Sequence, residues 1–128
     1  MRILLVEDDL TSRMFMEKFL MRYGQVEIAT NGLEAIDLVV DALEQDLYYE
    51  LICLDVMMPK VDGLKALKEI RKSEKKHPNI KASKVIMTTA LNDHKTVQEA
   101  YESGCEAYAW KPIDIQKFQD LLEKLDLI

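Results

Sequence analysis

The chain predicts an open α/β sheet of parallel strands, and three observations carry that reading. Short apolar runs alternate with amphipathic, helix-length stretches five times over, the pattern of parallel strands joined by right-handed crossovers. The first, third and fourth runs are almost continuously apolar, as strands covered on both faces must be. Four runs stop at polar residues: Ile3-Leu4-Leu5-Val6 at Glu7-Asp8-Asp9, Leu51-Ile52-Cys53-Leu54 at Asp55, Val85-Ile86-Met87 at Thr88-Thr89, and Ala107-Tyr108-Ala109-Trp110 at Lys111-Pro112. In such a sheet the carboxyl ends of the strands form the working edge.

The elements follow in order. After the first strand, Thr11 to Tyr23 predicts a helix, with Phe15/Phe19 and Met16/Leu20 at i, i+4 spacing and Gly24 closing it. Val26-Glu27-Ile28 is a short second strand, and Asn31-Gly32 turns into a second helix. Ile36, Val39, Val40 and Leu43 give that helix the clearest apolar stripe of the chain. Residues 51–54 form strand three. Gly63 precedes a third helix with Leu64, Leu67 and Ile70, which runs into the basic stretch Lys72 to Lys76. Those lysines suit the carboxyl-terminal helix dipole. Pro78 breaks the helix, so 77–83 reads as loop and 84–88 as strand four. Asn92 or Asp93 can cap a more polar fourth helix that ends near Gly104. Strand five is 106–110, and Asp114 caps a last helix facing inward through Ile115, Phe118, Leu122 and Leu125.

The simplest assembly is a five-stranded, flavodoxin-like (βα)5 sheet in the order 2-1-3-4-5, one domain over 1–128. Its switch point lies between strands one and three, so Glu7-Asp8 and Asp55 should meet there although Asp8 and Asp55 are 47 positions apart. Carboxylates, a hydroxyl and a lysine on that edge suit one divalent cation and one phosphoryl group.

Composition permits this and excludes much else. The 128 residues are 48% apolar and 31% charged, enough for one full core. A net charge of −6 argues against direct nucleic-acid binding. No signal peptide opens the chain, and no apolar run is long enough to span a membrane, so the expected location is the cytoplasm, with no membrane partner. Cys53 and Cys105 match no zinc or redox spacing and read as buried free thiols. His77 and His94 lie in polar, loop-like contexts and read as surface residues. The chain ends with the fifth helix, and no DNA-binding domain is expected after it.

Four separated motifs carry a family resemblance over the whole chain. Asp55-Val56-Met57-Met58-Pro59-Lys60-Val61-Asp62-Gly63 resembles the phosphoacceptor segment of response-regulator receiver domains, the CheY-like modules of two-component signalling. Val6-Glu7-Asp8 resembles their acidic pair, Thr89-Ala90 their hydroxyl and small residue, and Lys111-Pro112 their lysine-proline. Asn31-Gly32-Leu33-Glu34-Ala35 also resembles the family's turn into its second helix.

The resemblance implies a phosphoacceptor rather than an enzyme, with at most self-phosphorylation from small donors and slow autodephosphorylation. Asp55 would attack a phosphoryl group and form an acyl phosphate. Mg²⁺ keeps several waters and takes one or two carboxylates directly, which suits Asp8 and Asp55. Glu7 would hold a metal-bound water, and the Met57 carbonyl would be a further ligand. Lys111 and the Thr89 hydroxyl would bond phosphoryl oxygens, and the small Ala90 would leave the pocket open. The family uses a cis bond before Pro112 to aim the lysine. Tyr108, three residues before Lys111, matches the family's switch aromatic and would alter the surface of helix four, strand five and helix five, including Tyr101. The phosphoryl donor would be a sensor histidine kinase or a His-containing phosphotransfer protein; the target is unknown, and a phosphorylation-dependent homodimer is one form it can take.

Plainer readings stand beside these. Asp55 alone could be a helix cap, Asp9 a helix start, Asp62 a turn residue before Gly63, and Lys111 a strand end. A one-residue slip would make Asp8-Asp9 the metal pair. A haloacid-dehalogenase-type phosphatase also uses Asp, Lys, a hydroxyl and Mg²⁺, but it carries a DxDx(T/V) signature where this chain has Asp55-Val56-Met57-Met58. A receiver-fold module that is never phosphorylated would show damaged site residues, and here they are intact. Two features adjust the reading. The stretch Ser73 to Ser83 lengthens the third helix or its loop, away from the phosphoryl site. Met57 and Leu91 would flank the path of hydrolytic water and are poor at orienting it, which predicts a long-lived phosphoryl state.

Overall fold

The structure, a computed structural model, describes residues 1–90 and 94–128. Its elements run β1 (Arg2–Val6), α1 (Leu10–Leu20), β2 (Gln25–Ala29), α2 (Gly32–Glu44), β3 (Leu51–Asp55), α3 (Gly63–Lys75), β4 (Lys84–Thr89), α4 (His94–Glu102), β5 (Ala107–Trp110) and α5 (Ile115–Lys124). All four strand pairings are parallel, and the order is β2-β1-β3-β4-β5, as the sequence predicts.

The central strands are buried on both faces because their side chains alternate between two cores. Leu4, Val6, Ile52, Leu54, Val85 and Met87 meet Ala35, Val39 and Leu43 of α2, Leu67 and Ile70 of α3, and Ala100 of α4. Ile3, Leu5, Leu51, Cys53 and Ile86 meet Met16, Phe19 and Leu20 of α1 with Phe118 and Leu122 of α5. Phe118 stacks edge-on against Phe19 with centroids 5.7 Å apart. Truncating either ring to alanine should cost about 3–5 kcal/mol.

Caps fix where the helices start, and each one sits beside the working edge. Asp9, Asn31, Asp62 and Asp114 accept from the backbone N–H three residues on, at 2.9, 2.9, 2.9 and 3.1 Å. Asp9 thus starts α1 one residue earlier than predicted, and α1 ends at Leu20, with residues 21–23 forming a turn rather than a last helical turn. Gly24 does not close that helix through a left-handed backbone; a Cβ there would lie 2.0 Å from the Met1 carbonyl oxygen. Phe15, at i, i+4 spacing from the buried Phe19, is itself 48% exposed. Within α2 the small Ala35 and Ala42 are buried, and they leave Ile36 and Val40 only half-buried. The proposed caps Asn92 and Asp93 lie outside the described residues, as does Leu91.

The lengthened segment after α3 is tied down at the amino end of the sheet. Arg71 Nη1 donates to the Ser83 carbonyl (2.9 Å) and to Glu74 (2.7 Å), and Glu74 accepts from the Ser83 N–H (2.8 Å). Both cysteines are buried free thiols, and no helix among the described residues is long and apolar enough to cross a membrane.

Candidate functional site at the carboxyl edge of the sheet

Parallel pairing in this order aligns the ends of β1, β3, β4 and β5, and four polar groups converge there. Val6 pairs with Leu54 and Asp55 with Thr88, so Glu7 and Asp55 leave adjacent strands side by side. Asp8 follows on the loop. Glu7, Asp8 and Asp55 each offer a carboxylate oxygen within 4.8 Å of the others, Glu7 and Asp55 buried and Asp8 exposed. Lys111 arrives from the end of β5; its ammonium donates to Glu7 and, at 3.2 Å, to Asp55 Oδ2. The Lys111–Pro112 peptide bond is cis, and the Lys111 N–H donates to the Thr89 carbonyl at 2.8 Å.

The loop after β3 closes over the site by backbone contacts. Met57 N–H donates to Asp55 Oδ1 at 3.3 Å, while its side chain is 60% exposed. Gly63 N–H donates to the Val56 carbonyl at 2.9 Å, and a Cβ on Gly63 would sit 2.2 Å from the Asp55 carbonyl oxygen. Glycine is required there because backbone approaches backbone. Lys60, in the same loop, holds a left-handed φ of 67°.

Three carboxylates face one ammonium, so negative charge is in excess. Burial pushes the Asp55 carboxyl up to about 7, helped by the hydrogen bond and charge of Glu7 and opposed by Lys111. Burial also disfavours charge on Lys111, but its bonds to Glu7 and the charges of Asp55 and Glu7 outweigh this and raise its pKa. The lysine therefore stays protonated. Hard oxygen ligands with a surplus of negative charge suit a hard divalent cation, Mg²⁺ or its like, rather than a softer one.

The structure brings together Glu7, Asp8, Asp55 and Lys111 as expected, with Met57 adjoining through its backbone. Thr89 is fully buried at the end of β4, Ala90 is exposed beyond it, and Tyr108 is half-buried. Asp9 is not part of the cluster: its carboxylate caps α1, and the Ser12 N–H bond lowers its pKa. Of the two neighbours, Asp8 and not Asp9 lies in the carboxylate cluster. Asp62 likewise caps α3. The sequence reading missed a cavity of about 400 Å³ next to the carboxylates, lined by Glu7, Ser12, Phe15, Cys53, Thr88 and Lys111. Phe15, from α1, forms part of its wall, and no periodic pattern in the sequence signals the space.

Comparison with known proteins agrees with this geometry. A family model described as response regulator receiver domain matches residues 3–123. The regulatory protein AtoC of Escherichia coli is 32% identical over 124 residues, covering 96% of this chain and 24% of that protein. The osmosensing histidine protein kinase SLN1 of Saccharomyces cerevisiae is 33% identical over 123 residues, covering 94% of this chain and 10% of that protein. The chain thus spans a quarter or less of these relatives. Among solved structures, the receiver domain of the histidine kinase CKI1 from Arabidopsis thaliana, complexed with Mg²⁺ and BeF₃⁻, superposes with TM-score 0.84 at 26% identity, covering 98% of this chain and 89% of that one. The receiver domain of sensor histidine kinase PA1611 from Pseudomonas aeruginosa, with magnesium in its active-site cleft, gives 0.80 at 25% identity over 97% and 95% of the two chains. By motif, fold and family match, this chain belongs to the response regulator receiver domains.

Proposed function

We propose that residues 1–128 form one receiver domain in which Asp55 accepts a phosphoryl group from a sensor histidine kinase or a His-containing phosphotransfer protein. The observation that carries this is the convergence of Glu7, Asp8, Asp55 and Lys111 at the switch point. An Asp55 carboxylate oxygen attacks phosphorus as the bond from phosphorus to the donor nitrogen breaks, and the product is an acyl phosphate on Asp55. Asp8, Asp55 and the Met57 carbonyl would hold Mg²⁺, with Glu7 holding a metal-bound water; the ion would supply charge neutralisation for the meeting of two anions. Lys111, freed from Asp55, donates to a phosphoryl oxygen by a charge-assisted bond. The Thr89 hydroxyl donates to another, and the short Ala90 side chain leaves room for the group.

The reaction is stoichiometric, so the domain is a switch rather than a turnover enzyme. Its output is a changed surface on α4, β5 and α5, presented to a target protein or a second copy.

Acetyl phosphate with Mg²⁺ tests the assignment. Wild-type protein should take up one phosphate per chain, Asp55→Asn none, and Asp8→Ala should lose the Mg²⁺ dependence together with most labelling. Full labelling of Asp55→Asn would sink the assignment, multiple turnover would favour a phosphatase, and an unlabelled wild type would favour a binding module.

A further inference from the structure

The two helices beside the site carry charge in a pattern that phosphoryl chemistry does not use. α2 exposes Glu34, Asp37, Asp41 and Glu44 opposite its buried Ala35, Val39 and Leu43, and it contains no basic residue. α3 exposes Lys65, Lys68, Lys72 and Lys75 opposite its buried Ala66, Leu67 and Ile70. Both sets fall at i, i+3, i+7 and i+10, one side of a helix over ten rises, or about 15 Å. The stripes match in period and length and are opposite in sign.

They do not neutralise each other within the chain. Among the described residues no ion pair joins α2 to α3; Lys72 reaches only Glu69 on its own helix, at 3.4 Å. Glu34 alone has a local task, accepting from the Thr30 N–H and hydroxyl at 2.7 and 2.6 Å.

We propose that the α2–α3 face is a self-complementary docking surface for a second copy of this chain. The two helices are crossovers packed side by side on one face of a parallel sheet, so they run in the same direction. A two-fold axis lying along that direction in the interface preserves helix direction and exchanges the two positions. α2 of each copy then lies over α3 of the other, an isologous contact that closes as a dimer. In register, Asp37 of one copy faces Lys68 of the other and Asp41 faces Lys72, with Glu34–Lys65 and Glu44–Lys75 at the ends. Symmetry makes each pair occur twice. A polyanion such as nucleic acid fits the surface worse: lying on the lysines of α3, it would run beside four carboxylates on α2.

Exposed pairs of this kind are individually weak and screened by salt. The wild-type chain at high micromolar concentration should therefore sediment as a dimer in about 10 mM salt, where the Debye length is about 30 Å, and as a monomer in about 1 M, where it is about 3 Å. Two double variants make the test specific: Lys68→Glu with Lys72→Glu, and Asp37→Lys with Asp41→Lys. All four positions are exposed, and circular dichroism verifies folding. Each variant alone should be monomeric at low salt, and an equimolar mixture of the two should restore the dimer. A wild type that stays monomeric at low salt overturns the proposal. So does a dimer that survives either double variant, because its interface lies elsewhere. A ladder of larger species overturns the two-fold arrangement.

Discussion

The sheet carries a charge cluster at each end, partly buried at the amino end and with two buried carboxylates at the carboxyl end, and the two are built on opposite terms. At the amino end every nitrogen of the Arg71 guanidinium is used: Nε and Nη2 on the Gly104 carbonyl at 3.0 and 2.7 Å, Nη2 also on Glu106 at 3.0 Å, and Nη1 on Glu74 and Ser83. The two carboxylates are occupied in turn, Glu74 by the Ser83 N–H and Glu106 by the Val85 N–H at 2.6 Å. At the carboxyl end one ammonium serves two buried carboxylates, with a third nearby, and a cavity adjoins them. A closed network has nothing left to bind. An open one, short of positive charge, stores a need that a cation and a phosphoryl group can meet. Burial alone therefore does not mark function; the imbalance of partners does.

The largest break in this comparison comes from the closed end. Arg71→Met strips partners from two carboxylates and the Gly104 and Ser83 carbonyls, in a site where the arginine is only 16% exposed. The expected loss is about 3 kcal/mol, read by urea denaturation, since an orphaned buried charge costs more than its pair gave. Mg²⁺ should not restore it. A loss below about 0.5 kcal/mol, the scale of an exposed pair, would show that the knot is ornamental.

The open end should respond with the opposite sign. The folded-state pKa of Asp55 stands near 7, above its ordinary value of 3.8. The fold therefore takes up a proton between those values, and the stability this gives is complete below about pH 4 and lost as pH rises through 7. Without divalent cations, Asp55→Asn should stabilise the protein by on the order of 1–3 kcal/mol at pH 8 and by little at pH 4. Mg²⁺ should raise the melting temperature of the wild type more than that of the variant. Equal melting curves at both pH values would contradict the charge surplus.

The two clusters also differ in how much of them the sequence reveals. The open one announces itself because each member ends an apolar run, and parallel pairing must bring strand ends together. Asp9 was legible as a helix start from the same local chemistry, whereas Asp62, read as a turn residue before Gly63, caps α3. Arg71 gave no such sign: it sits at the margin of the apolar stripe Leu67-Ile70, where an arginine is usually solvated, and apart from Glu74, three positions on, its partners are 12 to 35 positions away. The cavity at Phe15 was hidden for a related reason. Helical spacing says which residues share a face, and the packing of α1 against α5 decides which of them is covered.

A smaller effect concerns how long the open end stays filled. Met57 presents an exposed, non-hydrogen-bonding side chain beside Asp55, so it offers attacking water no orientation. Met57→Asn should shorten the lifetime of the phosphorylated protein several-fold, and Asn at 57 with Glu at 91 should shorten it further. An unchanged or longer lifetime would mean that water reaches the acyl phosphate by a path these positions do not border.

The smallest signal reports whether filling the open end moves anything. Thr89 is fully buried, and its carbonyl receives the Lys111 N–H, so the ends of β4 and β5 are joined at the site. Two residues back from Trp110 on β5, the half-buried Tyr108 ring meets the Trp110 ring edge-on, with centroids 5.1 Å apart. A Thr89 hydroxyl that turned toward a phosphoryl oxygen would vacate space into which the Tyr108 ring could move. Burying more of that ring is worth on the order of 1–3 kcal/mol, enough to bias a two-state surface. Trp110 is 44% exposed and is the only tryptophan, so its emission reads the movement directly. Adding Mg²⁺ and beryllofluoride should change that emission, Thr89→Ala should reduce the change, and Arg71→Met, at the closed end, should leave it intact at temperatures where the variant is folded. If the Tyr108 ring occupies one position in structures with and without the mimic, the open end fills without signalling through β5.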